Sequence, residues 1–265
     1  MALHPGRFVQ STAELAALGP ARADKARNAF VAAALWAKKR LGRRGGRLWT
    51  LRIAGPRGPL VLAVCEYTDL EAVREVFVAG TYAAVDDAPA RTILDLGGNC
   101  GASVTYFKAT HPDAQIHVAE PDPIAFRTLQ ANARQLDGVT LHHVAVGGVD
   151  GRLPFFQSHM GWSSSLTGDQ THAGGGWIEV DVVRLSTLMS RARLDHVDVL
   201  KMDVEGAEWD ILPAVRLADV ADLVIGEFHD RNPDHEPMLD QAFDGLEVEY
   251  LQEPASHFVA QAPTA

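Results

Sequence analysis

From Thr92 onward the sequence alternates short apolar runs with stretches of helical periodicity, and this alternation restricts the fold more than any other feature. TILDLGG (92–98), QIHVAEP (115–121), VTLHHVAVG (139–147), LDHVDVLKMDV (194–204) and DLVIGEFH (222–229) read as strands. Between them, ASVTYFKATH, a segment running through Gln135 and another running through Val215 read as helices. LEVEYLQE (246–253) and HFVAQAP (257–263) complete the pattern as a terminal antiparallel pair. Repeated strand–helix units predict an α/β, Rossmann-like, doubly wound and mostly parallel sheet of seven strands.

The first part of the chain has a different character. Residues 12–41 are Ala-rich, with Leu15, Leu18, Phe30, Val31, Leu35 and Trp36 at helical spacing, so one or two helices are expected, broken at Gly19-Pro20. RLWTLRI (47–53) and PLVLAVCEY (59–67) flank GPRG as a β-hairpin, and 69–79 is helical again. These readings divide the chain into a basic N-terminal extension, 1–68, and a ligand-binding domain, 69–265. The second carries a substrate-side insertion at about 148–184. Residues 1–57 hold twelve Lys and Arg against Glu14 and Asp24, so the rest of a chain of net charge −10 carries −20. The patch KKRLGRRGGR (38–47) either faces solvent, docks on the chain's own acidic body, or attracts an anionic partner. No nucleic-acid recognition motif accompanies it.

Composition removes other classes. No apolar run reaches the roughly 18–20 residues that cross a bilayer. The opening MALHPGRFVQ lacks the apolar core of a secretory signal. Cys65 and Cys100 have neither disulfide-framework nor metal-ligand spacing, which suits reduced thiols in the cytoplasm.

In doubly wound sheets a ligand sits over the carboxyl ends of the strands, where strand order reverses. The first strand here ends in Asp95-Leu-Gly97-Gly98-Asn99-Cys-Gly101, and the next in Glu120-Pro121. Gly97 and Gly101 allow close backbone approach and open a helix whose amino end favours negative charge. Glu120 is placed to accept the hydroxyls of a ribose. Nicotinamide and flavin loops present G-x-G-x-x-G, whereas this loop has an acid in front and a different spacing. Asp95 would repel a pyrophosphate but suits a cationic amino-acid tail. A ligand that joins a ribose to an α-amino acid is S-adenosylmethionine.

DLGGNCG, AEP (119–121), RLSTL (184–188) and LKMDVEGAEWDIL (200–212) together resemble the FkbM family of S-adenosylmethionine-dependent methyltransferases over about residues 65–230. The resemblance implies a class I methyltransferase fold and transfer to a hydroxyl oxygen of a sugar or polyketide-type natural product. It implies that Asp95, Gly97, Gly98, Asn99 and Gly101 cradle the methionine part and that Glu120 and Pro121 meet the ribose. Val144 and Ala145 would lie near the adenine. Residues 1–57 fall outside it.

An alcohol holds its proton tightly, so O-methylation needs a base or a metal ion. Asp203 and Glu205 follow one strand and His229 ends the next. Two routes are open: His229 as general base, or a divalent cation such as magnesium held by Asp203, Glu205 and His229. Glu208 reads as favouring the following helix's amino end, and Lys201 as neutralising buried acid. Within 148–184, a loop bearing Trp162 and Trp177 is expected to stack on an acceptor ring, with Ser164 and Ser165 bonding its hydroxyls. The acceptor would be a small molecule, a glycan or a carrier-bound group, and the helical extension suits a homodimer. A non-catalytic S-adenosylmethionine-binding scaffold of the same fold is the competing reading, and it predicts that Asp203 and His229 are replaceable.

Overall fold

The computed structural model describes residues 5–158, 166, 175–229, 232–251 and 257–263. The chain forms two compact units: Met1–Thr81 with Gly98–Pro112 and Pro123–Asp137, and Tyr82–Gly97 with Asp113–Asp122 and Gly138–Ala265.

In the first unit, α1 (Pro5–Ala17) and α2 (Arg22–Arg40) are separated at Gly19-Pro20, as the sequence suggests. A Cβ on Gly19 would lie 2.6 Å from the Lys25 backbone nitrogen, so only glycine permits this tight a turn. The hairpin β1 (Trp49–Gly55) and β2 (Gly58–Val64) pairs in register from Trp49↔Val64 to Gly55↔Gly58. Its inward residues Leu51, Ile53, Leu62 and Val64 are buried, as are Val31, Ala32 and Leu35 of α2. Asn28, also buried, donates to the carbonyls of Leu15 (3.2 Å) and Arg52 (2.8 Å) and accepts from the Arg52 amide (3.1 Å), so one side chain joins α1, α2 and β1. Then follow α3 (Tyr67–Arg74), which one wide turn extends to Ala79, α4 (Ala102–Thr110) and α5 (Pro123–Ala133). The expected boundary at residue 68 falls inside α3.

In the second unit, β3 (Thr92–Leu96), β4 (Gln115–Ala119), β5 (Val139–His142), β9 (Val197–Met202), β10 (Ala221–Glu227), β11 (Glu247–Tyr250) and β12 (His257–Gln261) form one sheet. Its order is β11-β12-β10-β9-β3-β4-β5, with β12 antiparallel to both neighbours and the pairs from β10 to β5 parallel. The chain leaves β3 toward β4 and β5, then returns on the other side to β9. That reversal places the switch point at the carboxyl tips of β3 and β9. The expected α/β class I arrangement is present. β3 and β9 are almost wholly buried, as interior parallel strands require. Around them lies a core that includes Leu94, Leu96, Leu200, Met202, Val224, Phe228 and Phe258.

Three local readings change. The run 139–147 is not one strand: β5 stops at His142, and Ala145–Val146 is β6 in a different, three-stranded sheet of order β6-β8-β7. His143 and Val144 make the turn, and β6 pairs with Val182 and Val183 instead of β4. In the insertion, β7 (Gly151–Ser158) and β8 (Gly175–Val183) are the two expected strands, antiparallel through Phe155↔Ile178 and Phe156↔Trp177. Trp177 is therefore a strand residue, and Trp162, Ser164 and Ser165 lie outside the described residues. The helix expected through Val215 is only α7 (Glu208–Ile211), followed by a tighter turn at Leu212–Ala214. Pro213 supplies no amide hydrogen to continue it. Two helices not anticipated, α6 (Leu185–Ala192) and α8 (Glu236–Ala242), complete the unit.

Candidate functional site

The tip of β3 is built from backbone. Gly97 has φ +81°, and a Cβ there would collide with the Asp203 carbonyl oxygen at the tip of β9. Its amide donates to Ala119 O at 3.0 Å, and the Asp203 amide donates to Leu96 O at 3.2 Å, so three neighbouring strands meet at this point. Gly98 follows, and its carbonyl accepts from the Gly101 amide at 2.8 Å. Asn99 and Gly101 also take left-handed backbone, with φ 47° and 88°. Asparagine tolerates that region best among non-glycine residues other than aspartate. The loop therefore turns tightly into the start of α4, whose amino end favours negative charge.

Asp95 is ion-paired within the chain. It is 0% exposed, and its Oδ1 lies 3.1 Å from Lys201 Nζ, its register partner on β9. Lys201, only 2% exposed, also lies 3.6 Å from Asp203 Oδ2 and donates to the carbonyls of Gly97 (2.5 Å) and Leu96 (3.3 Å). Burial opposes the ammonium charge, but Asp95 and then Tyr82 and Asp203 outweigh it and hold Lys201 well above its ordinary pKa. The Asp95 charge faces this chain's own cation.

At the tip of β4, Glu120 is 6% exposed and its Oε1 accepts from the Asp122 amide at 2.7 Å. Asp122 Oδ1 accepts in turn from Gln157 Nε2 of β7 at 3.1 Å, which ties the insertion to the residue after Pro121. The Pro121 carbonyl lies 3.2 Å from His143 Nε2. Val144 packs on the main core, and Ala145 packs with Phe155, Val180 and Val182 in the small sheet. On β8, Trp177 is 52% exposed and meets Phe156 edge-on, with ring centroids 5.3 Å apart.

The tips of β9 and β10 are built from charged side chains. Asp203, Glu205 and His229 come together, each offering a ligand atom within 4.8 Å of the others. Glu205 stands at φ 54°, a left-handed conformation that costs energy and is concentrated at functional sites. Its Oε2 lies 3.4 Å from His229 Nε2. Glu227 Oε2 lies 3.9 Å from the same nitrogen. Glu208 stands at the amino end of α7, as expected, and does more there: it is 0% exposed, and it accepts from the Val204 amide (3.0 Å), the Gly206 amide (2.9 Å) and His229 Nδ1 (3.0 Å). Trp209 Nε1 donates to the His229 carbonyl at 2.5 Å, and its ring stacks on Phe228 and His235.

These contacts reset both titrating groups. Burial disfavours the imidazolium, but the Glu208 hydrogen bond and the charges of Glu205, Glu208 and Asp203 overcome it and raise His229 to about 10. Burial raises Glu205 well above the usual carboxylate range; His229 works against that rise, while Asp203, Glu208 and Glu227 add to it. The contacts thus favour the imidazolium form of His229, which the sequence offered as a general base. The group poised to exchange a proton is Glu205.

Comparison with known proteins agrees with this geometry. Residues 95–249 match the model of the "Methyltransferase FkbM domain". The chain is 31% identical over 183 residues to "Methyltransferase 1" of Beauveria bassiana, covering 61% of this chain and 74% of that protein. It is 33% identical over 140 residues to "2-O-methyltransferase NoeI" of Sinorhizobium fredii, covering 48% of this chain and 58% of that one. It is 28% identical over 214 residues to "31-O-demethyl-FK506 methyltransferase FkbM" of Streptomyces tacrolimicus, covering 68% and 82%.

Proposed function

The chain belongs to the FkbM methyltransferase family and is an S-adenosylmethionine-dependent methyltransferase; from that premise we propose that it methylates a hydroxyl oxygen of a sugar or polyketide-type natural product. The cluster of carboxylates around His229, one strand from the glycine loop, carries this reading. Nothing about the methyl donor demands such a cluster. An alcohol acceptor does, because its proton must be taken as the new bond forms. Two of the relatives bear O-methyltransferase names, which supports the same choice of atom.

The donor fits the residues present. Gly97 and Gly101 hold left-handed conformations without side chains, which lets a ligand approach the backbone closely, and the Glu120 carboxylate follows the adjacent strand. S-adenosylmethionine, when bound, supplies a methyl carbon on a sulfonium whose departure leaves a neutral thioether. The chain's own work is then alignment and proton transfer. Glu205 accepts the hydroxyl proton on a carboxylate oxygen, since burial has raised its affinity for a proton. His229 stays charged between Glu205 and Glu208 and holds the Glu205 carboxylate in place from Nε2. On the acceptor side, Trp177 offers a ring face to a sugar or macrocycle, with Trp162, Ser164 and Ser165 of the same insertion alongside it in sequence.

A second reading keeps the residues and changes what neutralises them. Asp203, Glu205 and His229 Nε2 would hold a divalent cation such as magnesium that acidifies the hydroxyl. One observation favours it: Glu208 binds the far ring nitrogen, as the partners of metal-bound histidines do. Labelled methyl transfer from S-adenosylmethionine to a panel of hydroxyl-bearing sugars and macrolides tests both. Under the first reading, label enters methyl ethers, chelator has no effect and Glu205→Gln abolishes transfer. Loss on chelation with recovery in magnesium selects the second. Label found only on nitrogen or carbon acceptors sinks the O-methyl assignment.

A further inference from the structure

Lys201 takes no part in the chemistry above, yet its ammonium meets Asp95, Asp203 and the carbonyls of Leu96 and Gly97 at the β3 tip. We propose that Lys201 is a positioning residue that fixes the orientation of the Gly97–Gly98 peptide and so aims the Gly98 amide at the amino-acid end of the methyl donor.

In a planar trans peptide the carbonyl and the next amide point in opposite directions. Lys201 Nζ holds the Gly97 carbonyl at 2.5 Å, which turns the Gly98 N–H away from the buried ammonium. Gly97 is free to accept either orientation, because a glycine at φ +81° has no side chain to prefer one. Something else must choose, and a lysine that is 2% exposed with its Nζ fixed by Asp95 and Asp203 has little freedom to let go. Asp95 then acts at second hand, as the anchor of Lys201. The same ammonium lies against Asp203, so the donor loop and the carboxylate cluster share one fixed charge. This inference rests on the donor assignment made above.

The competing account is that Lys201 only neutralises Asp95. Removing both charges separates the two. Lys201→Met alone leaves a buried, unpaired carboxylate and should lower the melting temperature. The double variant Lys201→Met/Asp95→Asn should restore it. Calorimetry then compares S-adenosylhomocysteine with methylthioadenosine, which lacks the amino-acid tail. The double variant should bind S-adenosylhomocysteine about tenfold more weakly, the size of one lost charge-assisted contact, and bind methylthioadenosine as the wild type does. Wild-type affinity for both ligands overturns the proposal, and so does equal weakening toward both. Should the double variant not fold, Lys201→Arg keeps the charge but not the tight carbonyl contact. It should show the same selective loss, and unchanged binding there is equally fatal. Wild-type protein silent toward both ligands would remove the donor site itself, and this inference with it.

Discussion

The tips of β3 and of β9–β10 face the same task by opposite means. At β3 the chain removes side chains: Gly97, Gly98 and Gly101 leave amides and carbonyls to do the work, and Asn99 is the one larger residue held in left-handed backbone. At β9–β10 it crowds charged side chains together until their proton affinities change, so that His229 stays charged and Glu205 does not hold its charge easily. A backbone site is specified by shape, and one methyl group can destroy it. A side-chain site is specified by mutual burial, so its members fail together.

The largest effect should therefore come from the second site. Glu208→Ala removes an acceptor for two amides and leaves His229 without its closest counter-charge. We expect a loss of about 3–5 kcal/mol in urea unfolding, the usual result of breaking a buried pair. A loss below about 1 kcal/mol, the range of exposed pairs, would mean that the cluster is not coupled. Next comes Gly97→Ala, which drives a Cβ into the Asp203 carbonyl. It should cost about 1–3 kcal/mol in backbone strain and abolish calorimetric binding of S-adenosylhomocysteine; normal binding would show that the β3 tip is not shape-specified. Glu120→Gln is milder: the fold survives, and affinity for adenosine-bearing ligands falls about tenfold, as for one charged hydrogen bond. The smallest change is with pH. His229 binds its proton more tightly folded, at about 10, than unfolded, at 6.5, so its pairing stabilises fully below 6.5 and fades as pH climbs toward 10. Glu205, also raised by burial, slopes the same way: ionising it costs stability above the ordinary carboxylate range, so both groups weaken the fold as pH rises. The stability advantage of wild type over His229→Gln should shrink between neutral pH and pH 10. A constant gap would mean the proton is not held.

What the sequence disclosed follows the same division. All seven strands of the main sheet, the hairpin and the break at Gly19-Pro20 were legible, because periodicity and turn residues are local properties. So was the loop at Gly97, since glycines announce backbone geometry. The split of 139–147 was not, because His143 and Val144 carry no turn signal and only pairing with Val182 and Val183 draws the chain away. Asp203, Glu205 and His229 were found as strand-tip residues. Lys201 and Glu208 were assigned only bland roles. Their partners are set by strand neighbours: Asp95 faces Lys201 only once β3 lies beside β9. The raised proton affinity of His229 was not legible for the same reason, since it depends on an acid twenty-one residues away. Among the described residues no helix is long and apolar enough to cross a membrane, and both cysteines are buried thiols outside any disulfide.

Asn132 of α5 accepts from the Ala63 amide at 2.6 Å and donates to the Ala63 carbonyl at 3.0 Å and the Cys100 carbonyl at 2.7 Å. A side-chain amide thus completes the free edge of the early hairpin and ties down the residue just before Gly101. Trimming the protein to begin near residue 69 would strip that edge away and leave two of the three Asn132 bonds without a partner. The hairpin thus belongs to the same compact unit as the start of α4, through one side chain that serves both.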